Sequence, residues 1–339
     1  MEETEVKNPV QVKFFEKLKQ LLPPNISLAN AISDVLEISA DGAYRRMRGE
    51  SVLSMDELVK LCRHYRIPPD AIVSSDDSTV ATFQFRKMIH DEEGFKEYLN
   101  NILNDLTKIN ASNPKQIIFA AGDLPIFSQF QFPDYAAFKI FFWQRAILNL
   151  PSVHGKKFKI ADTKPEMAAA CKKIFETYIQ IPSIEIWHED TVSSNLKLIE
   201  FAWDSGLFSS KEDALHICSQ VSMLLSAVEK QAEKSSKFSK EEKWAENEGN
   251  FTMYQSELLL TNNHVFVTAG AMKVLYLTHN TFNTMATTNA IFCNETEEWL
   301  KNLMRKSLPI SGVAEKQRHK FFKKCQEKVS VLSSRISAQ

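Results

Sequence analysis

The spacing of glycine constrains this chain more than any other feature of its sequence. Only 9 of the 339 residues are glycine, and no two of them lie closer than seven residues. A dinucleotide-binding G-x-G-x-x-G turn and a P-loop both need glycines two to five residues apart. The sequence therefore excludes both nucleotide sites and a G-x-S-x-G nucleophile elbow, and it favours a helix-rich chain with few tight turns.

Length and composition indicate a globular protein of about two domains. The chain has 339 residues, 44% of them apolar, and domains average about 150 residues. The 41 Lys and Arg residues balance 42 Asp and Glu residues, so the overall charge indicates no class of partner. The N-terminal sequence MEETEVKNPV is polar and acidic, and no apolar run approaches 18 residues. Neither a secretory signal nor a membrane span is therefore predicted.

Cysteine and histidine form no recognisable ligand pattern. The five cysteines lie far apart without a C-x-x-C motif, and the eight histidines lack H-E-x-x-H and H-x₃₋₅-H spacing. We therefore expect unpaired thiols in a reducing, cytoplasmic environment. No metal site, cofactor or catalytic residue is predicted.

Residues 10–73 have the periodicity of a compact helical unit. Ser27 is placed to cap the second helix, and Gly49 is typical of the residue that ends the third. Ser54 and Glu57 have the S-x-x-E spacing of a capping box at the start of the fourth. The five predicted helices cover Val10–Leu22, Leu28–Leu36, about Ala40–Arg48, and segments that begin at Met55 and Pro68.

The second and third predicted helices carry the most informative motif. Residues 32–49 read ISDVLEISADGAYRRMRG. This stretch resembles the helix-turn-helix of the Cro/C1 repressor class, also called the XRE type, in which an LAxxLGVS helix and turn precede a recognition helix that ends in Arg-Gly. ISDVLEIS corresponds to the first part and ADGAYRRMRG to the second. The resemblance extends over residues 10–73, about a fifth of the chain.

Two residues depart from the family pattern. Glu37 stands where the family has glycine in the turn, so the sequence leaves the turn geometry open. Arg46 stands three residues before the final glycine, where the family has a large apolar residue. We therefore expect Ala43 and Met47 to be the buried pair and the third helix to be rotated slightly, which leaves open which arginine faces the bases.

The resemblance implies DNA binding, with residues about 40–48 as the recognition helix in the major groove. Arginine side chains pair bidentately with guanine and neutralise phosphate. Ser39 is placed to cap this helix, which leaves the N-terminus open to a phosphate or groove contact. The predicted DNA-contact residues are Ser39, Asp41, Tyr44, Arg45, Arg46 and Arg48.

A helical protein-interaction module with a solvated arginine face is the alternative. Residues 9–73 contain nine basic and eight acidic residues, a net charge of only +1, whereas a DNA-binding domain is usually more basic. The arginines of the third helix are nevertheless concentrated locally. The alternative function is an adaptor that binds a protein partner through its N-terminal helices.

Residues 74–79 are small and polar and form the predicted linker to a second domain, residues 80–339. There the apolar pattern alternates between helical and strand periods, which predicts a larger, helix-rich α+β domain. The predicted helices are Phe83–Leu106, Tyr135–Leu150, Pro165–Tyr178, Val192–Trp203, Lys211–Lys230, Glu295–Lys306 and Gly312–Ile336. The predicted strands form a small, mostly antiparallel sheet: 116–119, 184–187, a hairpin of 256–260 with 264–268, 274–278 and 290–293.

Three further patterns in this domain each have two interpretations. Eight aromatic residues between Phe127 and Trp143 are expected of an ordinary core, and also of an apolar ligand pocket or a dimer seam. The basic last helix is expected to have a solvated face, with a second nucleic-acid contact as the alternative. The cluster His188-Glu189-Asp190 has no recognisable nucleophile or metal partner, so a surface loop is predicted rather than an acid–base site.

Together these patterns predict a cytoplasmic, sequence-specific DNA-binding transcriptional regulator that is not an enzyme. Residues 9–73 bind double-stranded DNA, and residues 80–339 serve effector sensing, dimerisation or both. A homodimer is expected, because one recognition helix reads few base pairs and helix-turn-helix proteins bind two half-sites. The sequence leaves open whether a small-molecule or peptide effector exists.

Overall fold

The computed structural model describes residues 9–21, 26–65, 80–86, 92–239, 248–281 and 283–339. The chain divides into two compact units, residues 1–82 and 83–339. The predicted fifth helix from Pro68 and the linker 74–79 lie outside the described residues. The assignment of 9–73 and 80–339 as domains with separate roles stays a prediction.

The first unit is helical in its described part. Helix α1 supplies Phe14, Phe15 and Leu18 to a core in which Ile32 and Leu61 are also fully buried. These side chains recur at helical spacing, so each helix presents one apolar face to the others. The described helices agree with the predicted ones: α1 (Pro9–Leu21), α2 (Leu28–Leu36), α3 (Ala40–Met47) and α4 (Met55–Tyr65).

The second unit combines helices with one sheet, and the chain is helix-rich overall. Its helices are α5 (Glu92–Asn110), α6 (Ile126–Gln129), α7 (Pro133–Phe142), α8 (Pro165–Ile179), α9 (Ser193–Asp204), α10 (Lys211–Lys234), α11 (Ala290–Arg305) and α12 (Glu315–Ala338). Helix α7 continues into a wider π-helical turn, Trp143–Ile147.

Eight strands of the described residues form a single mixed sheet in the order β1-β7-β6-β5-β2-β3-β4-β8. Strands β2, β3 and β4 are parallel neighbours, and the pairs on either side of them are antiparallel. The sheet is thus larger than the one predicted and is mixed. The strands are β1 (Gln84–Phe85), β2 (Lys115–Ala121), β3 (Ser183–Trp187), β4 (Phe251–Gln255), β5 (His264–Ala269), β6 (Met272–His279), β7 (Asn283–Thr287) and β8 (Leu308–Pro309).

Strand β2 shows how the sheet separates two cores. Ile117 and Phe119 join the large core formed with the helices α5–α10 and α12, whereas Ile118 and Ala120 join a smaller core with α11. Successive side chains of a strand point to opposite faces, so a strand buried on both faces has the continuous apolar sequence of β2.

Three predicted elements of the second unit are wrong. Residues 256–260 do not pair with 264–268; β4 ends at Gln255, and β5 instead forms a hairpin with β6 across Gly270-Ala271. Ala290–Cys293 is the first turn of α11, because Asn289 caps that helix by accepting a hydrogen bond from Phe292 N. The predicted helix from Phe83 begins only at Glu92, after the edge strand β1.

The charge-dense segment after α10 carries a buried lysine. Lys237 is 1% exposed and donates hydrogen bonds to the carbonyl oxygens of Tyr178 and Ile181, at 2.8 and 2.5 Å. Nearby, buried Glu185 accepts hydrogen bonds from Tyr178 and Trp187, at 2.6 and 2.8 Å. Burial raises the pKa of Glu185 and lowers that of Lys237, since each charged form loses solvation.

Gly122, directly after β2, allows a close approach between two backbone segments. A Cβ atom there would lie 2.9 Å from the carbonyl oxygen of Leu260 and 3.0 Å from the nitrogen of Asn262. The same approach lets the side-chain oxygen of Asn263 accept a hydrogen bond from Asp123 N at 2.9 Å. Glycine is thus required here for space.

We predict that Gly122→Ala destabilises the second unit by about 1–3 kcal/mol, because two backbone segments must move apart. The measurement is the melting temperature by calorimetry, which is expected to fall by about 2–4 °C per kcal/mol. An unchanged melting temperature would contradict the close approach.

Candidate nucleic-acid interface

The turn between α2 and α3 is held by a left-handed residue. Glu37 has φ 57° and ψ 42°, the conformation that glycine adopts most readily. Ile38 N donates to Ser33 O at 3.2 Å, and the Ser33 hydroxyl donates to Ile38 O at 2.5 Å. The chain therefore makes the tight turn without the glycine that the resemblance leads one to expect.

Helix α3 has a defined start and end. Ser39 Oγ accepts a hydrogen bond from Gly42 N at 3.1 Å, which confirms the predicted cap. At the other end Gly49 has φ 72°, its N–H donates to Arg46 O, and Glu50 N donates to Arg45 O. This pair of bonds is the Schellman arrangement, in which a left-handed glycine ends the helix. The capping box of α4 is also present, with reciprocal bonds between Ser54 and Glu57 at 3.2 and 2.9 Å.

Arg46 lies between α3 and α4. Its Nη2 donates to Glu57 Oε1 at 2.7 Å and its Nε to Oε2 at 3.3 Å, and its side chain is only 19% exposed. Burial alone would raise the pKa of Glu57, but its hydrogen bonds with Arg46 and Ser54 outweigh burial and the pKa is lowered. Arg46 therefore stabilises the helical unit from a position where the Cro/C1 class, which the motif resembles, has an apolar residue.

Gly42 lies next to both Arg46 and the capping serine Ser39. Arg46 Nη1 also donates to Gly42 O at 3.2 Å, and a Cβ atom at Gly42 would lie 3.6 Å from that nitrogen and 3.3 Å from Ser39 Oγ. The distance to Nη1 is an ordinary van der Waals contact, so the tighter constraint at Gly42 is the capping hydroxyl of Ser39.

Gln11 fastens α1 to the end of α3. Its Nε2 donates to Arg46 O at 2.7 Å and to Ser51 O at 2.8 Å, and its Oε1 accepts from Leu53 N at 2.8 Å. Nothing local in the sequence marks this glutamine, because its partners lie 35 to 42 residues away.

The opposite face of α3 is open to solvent. Asp41, Tyr44 and Arg45 are exposed, and Tyr44 has 47% of its surface accessible. Ala43 is fully buried, as expected, whereas Met47 is half-buried and packs against the same core. The face therefore presents an aromatic ring and a cation within one helical turn.

Arg48 is exposed beyond the end of α3 and is paired locally. Its Nε and Nη2 donate to the Glu50 carboxylate at 2.7 and 3.1 Å. This pair raises the pKa of Arg48 and lowers that of Glu50. Exposed pairs contribute little to stability, so Arg48 can exchange Glu50 for a phosphate at small cost. Of the six predicted contact residues, Arg46 alone is turned inward.

Part of the basic face of α12 is engaged within the second unit. Lys324 Nζ lies 2.7 Å from Glu189 Oε2, and Lys328 Nζ lies 2.6 Å from Asp190 Oδ1. These bonds lower the pKa of both carboxyl groups. Arg318 is buried and donates to the carbonyl oxygens of residues 310 and 312. The acidic cluster after β3 is therefore an anchor for α12.

The aromatic segment of the second unit belongs to its core. All eight aromatic residues between Phe127 and Trp143 are buried except Phe141, which is half-buried. Phe127 stacks on Tyr178 with ring centroids 4.6 Å apart, and Phe138 stacks on Phe208 at 4.9 Å. Phe127 and Trp143 also line a cavity.

The five cysteines are free and buried. Burial raises the pKa of Cys171 and Cys325 to about 12 and that of Cys218 to about 11. Within the residues that the structure describes, no helix is long and apolar enough to cross a membrane.

The family model of the BetR domain matches residues 9–95, about a quarter of the chain. This is a helix-turn-helix-like domain of DNA-binding type, and the match indicates a regulatory role. It includes all of α1 to α4 and reaches the first residues of α5. No curated protein and no solved structure matches the chain.

The left-handed conformation of Glu37 predicts that Glu37→Gly stabilises the first unit. The left-handed region costs a non-glycine residue about 1–2 kcal/mol, and the extra freedom of glycine in the unfolded chain costs about 0.4–1 kcal/mol. The free energy of unfolding, measured by urea denaturation, is therefore expected to rise by about 0.5–1 kcal/mol.

Glu16→Gly is the matched control, because Glu16 is exposed in the middle of the right-handed helix α1. The free energy of unfolding of this control variant is expected to fall by about 1 kcal/mol. Loss of stability in both variants would refute strain at Glu37.

Proposed function

We propose that the protein is a transcriptional regulator that binds double-stranded DNA through α3. The observation that carries the proposal is the face of α3 that presents Tyr44 and Arg45 to solvent, next to Arg48, on a helix whose other face is fixed by Arg46 and Ala43. A rigidly held helix with exposed arginines suits the major groove. The BetR-domain match supports the same role.

Within helix-turn-helix proteins, we assign this unit to the Cro/C1, or XRE, class. The support is the motif of residues 32–49, together with the left-handed turn residue Glu37 and the capped α3. In this arrangement α3 enters the groove and α2 braces it. Ser39 and Asp41 lie at the N-terminus of α3, where the helix dipole and free N–H groups favour a phosphate.

We further propose that the protein acts as a homodimer and has no enzymatic activity. One α3 reaches few base pairs, whereas two copies bind half-sites one helical turn apart, about 34–36 Å. The second unit provides the larger surface for self-association. Its role is control of DNA binding rather than chemistry.

The decisive variant is Arg45→Ala. A duplex is first enriched from random double-stranded DNA on the immobilised full-length protein, and affinity is then measured by fluorescence anisotropy at several salt concentrations. Arg45→Ala is expected to weaken binding about tenfold or more, since a base-edge arginine contributes about 1–3 kcal/mol.

Lys13→Ala is the charge-matched control. Lys13 is exposed on α1 two residues after Gln11, and this places it about 200° around the helix from the side chain that contacts α3. Its loss is expected to change affinity by no more than about twofold. Equal affinities of wild type and Arg45→Ala would contradict the α3 interface, and failure to enrich any duplex would favour the adaptor.

The dimer is tested separately by light scattering with and without the enriched duplex. The expected mass is twice the 38.7 kDa of one chain, and the enriched sequence is expected to contain two related half-sites. A mass of 38.7 kDa together with a single unrepeated site would refute the proposed homodimer.

A further inference from the structure

A cavity of about 140 Å³ lies inside the second unit, between one face of the sheet and helices α5 to α7. Strands β2, β5 and β6 supply its floor, and its middle is apolar. A cavity of about 150 Å³ with such a lining accommodates benzene. The residues that form this apolar belt include Ile102, Ile117, Phe119, Phe127, Val265 and Val267.

One end of the cavity holds a buried lysine. Lys139 is 4% exposed, and its Nζ donates to Asn195 Oδ1 at 2.8 Å and lies 3.6 Å from Asp123 Oδ2. The Trp143 ring lies on a further side of the ammonium, with its centroid 5.5 Å from Nζ. Lys139 and Trp143 both line the cavity, as does Asp123.

Hydrogen-bonding capacity remains unused at this end. Asp123 Oδ1 accepts from Leu124 N and Ser194 Oγ, at 2.8 and 2.7 Å, and from Asn195. Within the described part of the chain, the one partner of Asp123 Oδ2 is the ammonium of Lys139, whose Nζ lies 3.6 Å away. Gln129, which is 2% exposed, donates to Leu124 O at 2.6 Å, and no bond to its Oε1 is found among the described residues. The Asp123 side chain is 34% exposed, and neither its Oδ2 nor Gln129 Oε1 is a fully buried atom without a partner in the described residues. Both oxygens are therefore accessible acceptors, which favours a guest that carries hydrogen-bond donors.

The charges around the cavity compensate each other in pairs. Lys139 faces Asp123 at one end, and at the other Arg86 Nη2 donates to both carboxylate oxygens of Asp105, at 3.1 and 2.9 Å. A ligand with a net charge would therefore bring an unbalanced charge into a largely apolar space, which is unfavourable.

We propose that this cavity binds a small organic molecule of zero net charge, with an apolar body about the size of benzene and a head group that both donates and accepts hydrogen bonds. The body occupies the apolar belt. The head group accepts a hydrogen bond from Lys139 and donates one to Gln129 Oε1 or Asp123 Oδ2. The site lies wholly within the second unit, so the proposal stands whether or not the first unit binds DNA.

The test uses three probes of one shape on the full-length chain: benzamide, benzoate and benzylamine, which are neutral, anionic and cationic at pH 7. Calorimetry is expected to show saturable benzamide binding with a Kd of about 1 mM or tighter. Benzoate and benzylamine are expected to bind at least about tenfold more weakly. Absence of saturable benzamide binding, or equal binding of all three probes, would overturn the proposal.

Asp123→Asn tests the head-group end. The amide keeps the shape of the side chain and the accepting Oδ1 atom but leaves the charge of Lys139 unbalanced. The preference for benzamide over benzoate is therefore expected to become a preference for benzoate of about tenfold. An unchanged order of affinities in a folded variant would place the ligand head elsewhere and refute the assignment.

Val265→Phe tests the apolar belt and does not depend on the ion pair. The added ring fills the cavity, so benzamide binding is expected to be lost while the melting temperature is retained. Val313→Phe adds the same ring at a fully exposed position, and it is expected to bind like wild type. Undiminished binding in Val265→Phe, or equal loss in Val313→Phe, would count against the cavity.

Discussion

The bridge between Arg46 and Glu57 determines how α3 is presented to solvent. It joins the last turn of α3 to the first turn of α4, and its carboxylate also accepts the capping hydrogen bond from Ser54 N. The carbonyl oxygen of Gly42 accepts a hydrogen bond from the guanidinium, and Gln11 of α1 donates one to the carbonyl oxygen of the same arginine. An ion pair with geometry this specific favours one orientation of the helix, and that orientation leaves Tyr44 and Arg45 outside.

Most features of the chain that depend on nearby residues could be predicted from the sequence, although the side chain of Ser27 makes no capping hydrogen bond to α2. Features that depend on distant residues could not be predicted. The cap at Ser39, the box at Ser54 and the end at Gly49 each involve bonds within five residues, and all three are present. The pairing of β4 with β3 and β8 joins segments more than 50 residues apart. A short apolar run such as Ala290–Cys293 fits a strand or a buried helical turn equally well.

The same distinction applies to the two candidate sites. Exposure of the cations on α3 follows from helical period, but the inward turn of Arg46 depends on Glu57, eleven residues away. In the second unit the density of aromatic residues indicated a core or a pocket, and the structure contains both. The polar end of the cavity is assembled from Asp123, Gln129, Lys139 and Asn195, which the loop after β2 and helices α6, α7 and α9 bring together. No sequence spacing encodes that arrangement.

The buried cysteines have a practical consequence. Thiol reagents attack the thiolate, and burial keeps all five sulfurs protonated and enclosed. A cysteine introduced at an exposed position such as Val313 would therefore react selectively in the otherwise native chain. A fluorophore could then be attached to the second unit at a single known position without a cysteine-free background.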